Sequence, residues 1–181
     1  AGGTSGHMIG GALAAILLGP WAGMLTMTTV VAIQALLLQD GGLLVMGANI
    51  LNMAVLAPLV GYGVYRGITA LVKHERWGLF AGGLLGAWAS VIVAATACAV
   101  QLGFSGTYPM GIVMPAMAGI HVLIGIGEAL ITVGALAFVA GVRRDLLKPA
   151  EGPAKGLGWA AVGLALALAV EGDSEHSIAQ G

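Results

Sequence analysis

Long apolar stretches separated by short polar turns dominate the chain, and their lengths and stops predict helices. Met8 to Gly19 is an apolar run, Ile9-Gly10-Gly11-Ala12-Leu13-Ala14-Ala15-Ile16-Leu17-Leu18, stopped by Gly19-Pro20. As a helix it covers about 18 Å, short of a hydrocarbon core of about 30 Å, so it is a buried half-helix or a span completed by the preceding loop. Pro20 suits the first turn of a second helix and Trp21 a membrane interface; this helix runs to Leu38 with Gln34 its only strongly polar interior residue. After the turn Gln39-Asp40-Gly41-Gly42, a third span runs from about Leu43 to Tyr65 and carries Asn49, Asn52 and Met53, with a kink expected at Pro58. A fourth runs from Gly78 to Gly103, and a fifth from about Pro115 to Val142 with His121 and Glu128 inside it. Leu157 to Val170 makes a sixth, shorter segment. The expected fold is therefore an all-α, polytopic transmembrane bundle with about six hydrophobic segments, a membrane domain over residues 1–170 and a polar tail over 171–181.

Composition sharpens this picture. Of the 181 residues 59% are hydrophobic and 8% charged, against roughly 25% charged in an ordinary soluble domain, and the mean hydropathy is +0.98. Thirty-one glycines point to helices that approach closely, because lipid supplies no hydrophobic drive for association and small residues let backbones meet. A transmembrane barrel would show short alternating segments instead. Gly11/Ala15/Gly19 and Gly82/Gly86/Ser90 have the small-x-x-x-small spacing of close-packing faces. A net charge of -1 gives no reason to expect nucleic acid, and a single cysteine, Cys98, permits no internal disulfide. No G-x-x-x-x-G-K-[ST], H-E-x-x-H or G-x-S-x-G pattern occurs, so the chain reads as no enzyme, and any nucleotide-driven step belongs to another chain.

The charges orient the bundle. All seven Lys and Arg residues lie in Arg66–Arg76 and Arg143–Lys155, two crossings apart and hence on one side. The positive-inside rule makes that side cytoplasmic. The turns Gln39–Gly42 and Ser105–Pro109 carry none, as outer turns should. Counting back through the helices places Gly2–His7 on the extracytoplasmic side of a multi-pass protein of the inner (plasma) membrane.

Candidate chemistry starts at Ala1-Gly2-Gly3-Thr4-Ser5-Gly6-His7-Met8, a glycine-dense loop ending in an imidazole, the commonest transition-metal ligand. On its own this stretch fits a metal-binding loop or an ordinary polar loop. Asn49 and Asn52 lie about two turns inside the outer end of their span and His121 at similar depth, so the three could converge beneath His7. Each asparagine also fits a plain interhelical hydrogen bond. His121 and Glu128 are seven residues apart and share a helix face. They fit a second layer behind the metal ligand, a proton or cation channel path, or structural bonding within the bundle. His74 and His176 sit in charged segments and read as solvated.

Five ordered blocks carry a further likeness. Gly2-Gly3-Thr4-Ser5-Gly6-His7, Gly10 through Trp21, Gln34 through Gly42, Gly47-Ala48-Asn49-Ile50-Leu51-Asn52-Met53 and His121 through Ala129 resemble the CbiM/NikM family. Its members are substrate-capturing membrane subunits of energy-coupling-factor transporters for cobalt and nickel, and the likeness covers residues 1 to about 155. It implies that His7 is a metal ligand for transported Co(II) or Ni(II), with no permanently bound cofactor. It further implies a transmembrane coupling (T) subunit, two cytoplasmic ATPase subunits and a small accessory N-type membrane subunit as partners. In the family the other ligands come from an amino-terminal Met-His pair, giving a near-planar nitrogen site suited to Ni(II) and able to hold Co(II). That pair and the leading spans are not in this sequence, so either residues precede Ala1 in the whole protein or metal binding is impaired. Glu171-Gly172-Asp173-Ser174-Glu175-His176 also departs from the Pro-Asp-Gly-Leu-Glu stretch of some relatives.

Overall fold

The structure, a computed structural model, describes residues 8–39 and 41–147. Every regular element among them is helical: α1 (Gly11–Leu18), α2 (Pro20–Leu37), α3 (Met46–Leu71), α4 (Glu75–Phe104) and α5 (Met110–Val142), followed by a 3-10 turn over Arg144–Leu147. Four of these, α2 to α5, are long and apolar enough to cross a membrane. Against the about six hydrophobic segments expected, the described residues hold five helices, four of them long enough to span, and the all-α polytopic class is kept. α1 has 8 residues and covers only about 12 Å, and the segment Leu157–Val170, like the tail 171–181, lies outside the described residues.

The local chemistry explains the boundaries. Gly19 turns the chain between α1 and α2 at φ 85°, a left-handed angle that a side chain would oppose, and Pro20 then opens α2 with its preset φ. α5 begins at Met110, earlier than Pro115, because the Pro109 carbonyl accepts from the N–H groups of Ile112 and Val113 at 2.9 and 3.0 Å and so nucleates the first turn. The irregularity expected at Pro58 takes the form of a π-helical segment over Ile50–Leu56 inside α3. The N–H of Ala57 reaches the carbonyl of Asn52, one residue further back than in an α-helix. Proline offers no N–H at the next position, and a widened turn before it relieves the ring's clash with the preceding carbonyls.

α1 and α2 form a hairpin, and α3, α4 and α5 pack side by side in alternating directions, α4 holding the centre. Glycine faces set the contacts. A Cβ on Gly86 of α4 would stand 2.6 Å from the Gly61 carbonyl of α3, and one on Gly61 would stand 2.9 Å from the Cα of Ala12 in α1. Gly23 meets the backbone of Ala15 in the same way, at 2.8 Å. Gly82 faces Tyr65, Gly83 admits the Leu136 side chain, and Gly125 receives Trp88, whose indole N–H donates to the Val122 carbonyl at 3.3 Å. The small-residue faces expected at Gly11/Ala15 and Gly82/Gly86 are thus contacts. Gly19 drops out of its face, since it makes the turn and has open space where a Cβ would stand. Ser90 is fully buried and donates to the Ala87 carbonyl of its own helix.

Candidate functional site

Glu128 lies near the middle of α5 and is 3% exposed. A carboxylate at that depth is costly unless its oxygens find donors. Both do: the Ile9 N–H donates to Oε2 at 2.6 Å and the Gly10 N–H to Oε1 at 3.0 Å. These successive amides immediately precede α1, where Gly10 at φ 72° and ψ 1° is its N-cap in the left-handed conformation. Consecutive N–H groups turned by a left-handed residue form a concave seat for an anion, and the positive end of a helix dipole adds to it. A side chain at Gly10 would oppose that angle, so the glycine is a condition of the seat. From another helix, Glu128 therefore holds the two residues that lead into α1 and fixes the chain two residues after His7.

The other wall of this segment is apolar. Ile9 packs against a cluster of Met27 and Val31 from α2 and Ile50 and Ala54 from the π segment of α3, with Met46 and Met53 beside it. Gly11 faces the ring of Pro58, with Cδ 3.1 Å from where its Cβ would stand. Residues 9–11 are thus held between α5 on one side and α2 with the π segment on the other. Because α1 starts beside Glu128 and ends at the level of Arg66, Arg76 and Arg144, the chain next to His7 sits at mid-height in the bundle.

The remaining polar candidates are engaged elsewhere. Asn52 is 3% exposed and makes a reciprocal amide pair with Gln101 of α4, Nδ2 donating to Oε1 at 2.8 Å and Gln101 Nε2 donating to Oδ1 at 3.0 Å. The Nδ1 of His121 lies 2.7 Å from the Met117 carbonyl one turn back on its own helix. Asn49 is half-buried, its amide nitrogen standing where a Cβ on Gly41 would be. Among the described residues none of Asn49, Asn52 and His121, the three expected to converge beneath His7, has a hydrogen bond to Ile9 or Gly10; Glu128, seven residues beyond His121, takes that place. Among the described residues no group of three His, Cys, Asp or Glu side chains could hold a metal, and His7 itself lies outside them. Sequence reasoning missed Gln101 and the two backbone donors. Gln101 had a visible signal, a lone amide in an apolar span, whereas Ile9 and Gly10 act through backbone groups that every residue carries.

Comparison with known proteins agrees with this architecture. Residues 1–146 match the family model CbiM, described as the cobalt uptake substrate-specific transmembrane region. A putative fused nickel transport protein NikMN of Archaeoglobus fulgidus is 40% identical over 156 residues, covering 85% of this chain and 51% of the relative. A cobalt transport protein CbiM of Sorangium cellulosum is 34% identical over 156 residues, covering 80% and 65%. The crystal structure of a transition metal transporter superposes with a TM-score of 0.69 at 38% identity, covering 78% of this chain and 67% of that one. The chain spans about half to two thirds of the length of these curated relatives. Matched over most of its length, and folded as apolar helices around closely packed glycines, the chain belongs to the CbiM family of membrane proteins.

Proposed function

We propose that the chain is a substrate-binding part of an ATP-driven energy-coupling-factor importer for divalent cobalt or nickel, with residues 1–170 as its membrane domain. His7 supplies an imidazole nitrogen to the ion, and further nitrogen donors complete the site. Such a donor set favours Co(II) and Ni(II) over Mg(II) and Ca(II), which prefer oxygen. The observation that supports this reading is the pair of bonds from Ile9 and Gly10 to Glu128, which holds the chain beside His7 at mid-height in the bundle. Placement of an ion near the bilayer midplane against a broken helix is a recurrent arrangement in transporters. Glu128 is the positioning residue, and Asn52 with Gln101 secures the π segment that forms the facing wall.

The His7 loop opens to the extracytoplasmic side of the plasma membrane, with the two basic groups in the cytoplasm. A coupling subunit, two ATPases and a small accessory membrane subunit drive the rearrangement that releases the ion inward. A channel through His121 and Glu128 draws no support from the geometry, because both Glu128 oxygens and the His121 Nδ1 are already engaged with backbone groups. Uptake of radioactive cobalt or nickel by cells making the full-length protein and its partners tests the proposal. His7→Ala should abolish it, and undiminished uptake would remove His7 from the metal site.

A further inference from the structure

At the basic end of the bundle a cavity of about 730 Å³ opens between α1, α2, α3, α4 and α5, far from the Glu128 contact. Three guanidinium groups line it, Arg66 from α3, Arg76 from α4 and Arg144 from the turn after α5, against a single carboxylate, Glu75. Arg144 is steadied by its own Nε–H, which donates to the Ala140 carbonyl at 2.9 Å. Among the described residues no carboxylate forms an ion pair with Arg66 or Arg76, so the described lining carries an excess of positive charge. Trp21, Tyr62 and Tyr65 line the same space, and its other wall is apolar, with Leu17 and Leu79 among its members.

Charge and apolar surface in one cavity call for an amphiphile. Guanidinium groups recognise phosphate through paired N–H donors and are less strongly hydrated than ammonium groups. Aromatic side chains with polar tips suit the headgroup level of a bilayer, and basic pockets between transmembrane helices bind anionic headgroups. A free phosphate would satisfy the arginines and leave the apolar wall uncovered. A zwitterionic lipid would bring a cation into a site that already has three. We infer that this cavity binds an anionic phospholipid, its phosphate held by Arg66, Arg76 and Arg144 and its acyl chains along the apolar wall. The bound lipid would join α3, α4 and the end of α5 at one level of the bundle.

The test is native mass spectrometry of the full chain in uncharged detergent, titrated with phosphatidylglycerol and with phosphatidylcholine of the same acyl chains. Each guanidinium near an anionic headgroup changes affinity on the order of fivefold, so the three together should give a preference of about a hundredfold for phosphatidylglycerol. The triple variant R66Q/R76Q/R144Q should lose that preference, and the triple lysine variant should keep most of it. K73Q, which alters a basic residue outside the cavity, should leave it unchanged. Excess inorganic phosphate should not displace the lipid; displacement would mark an anion site without lipid selectivity and overturn the proposal. Equal retention of the two lipids by the unaltered protein would overturn it independently of any variant. So would an equal loss in K73Q, which would show attraction to surface charge in general.

Discussion

Replacing Glu128 by glutamine tests the clamp on the chain beside His7, the proposed metal ligand, with minimal change of shape. The carboxylate accepts from Ile9 at 2.6 Å and Gly10 at 3.0 Å, whereas the carboxamide keeps one acceptor and turns an NH2 donor toward the second N–H. One charge-assisted bond is lost and a donor faces a donor, a change of about 1.5–3 kcal/mol. If that energy is fully spent on holding residues 9 and 10, the loop shifts toward alternatives in which His7 is misplaced. Metal affinity should then fall about 10- to 150-fold, in line with the 10- to 100-fold known for groups that orient a metal ligand from behind. Glu128→Ala removes both acceptors and should weaken binding further. Cobalt or nickel titration by isothermal calorimetry measures the effect, and thermal unfolding without metal reports whether the bundle survives. A dissociation constant within about twofold of wild type in both variants, with the melting transition intact, would refute the clamp.

Three further outcomes follow from the packing. Gly86→Leu would press a side chain against the Gly61 carbonyl, whose backbone cannot yield as a flexible side chain can; overpacking of this kind costs about 1–3 kcal/mol or more, and unchanged thermal stability would count against the contact. Gly63→Ala, in the same helix layer but with nothing within 4 Å, should be neutral or stabilise by up to about 1 kcal/mol in the same assay. Asn52→Ala and Gln101→Ala should each destabilise, and their double-mutant cycle should give a coupling of about 0.6–1.7 kcal/mol in detergent unfolding. Strict additivity of the two would show that the amides act separately.

The sequence by itself determined the class, the four long spans and the gathering of Arg66, Arg76 and Arg144 at one end of the bundle. These depend on hydropathy summed along a segment and on the number of crossings between charged groups, both local or countable properties. It also marked Gly11, Ala15, Gly82 and Gly86 as contact positions, because small residues recur at helical spacing. It placed Glu128, His121, Asn49 and Asn52 in the membrane but could not say what each would meet.

Only the tertiary structure decided that Glu128 seats the amides of Ile9 and Gly10, 119 and 118 residues away. The same holds for the pairing of Asn52 with Gln101 across 49 residues and for the bonding of His121 within its own helix. The π form of the irregularity ahead of Pro58 and the loss of Gly19 from the contact face likewise depend on neighbouring helices and on φ angles that composition does not encode. A buried polar group must find a partner, yet which partner is within 3 Å depends on how the helices rotate and approach, and many distant residues set that jointly.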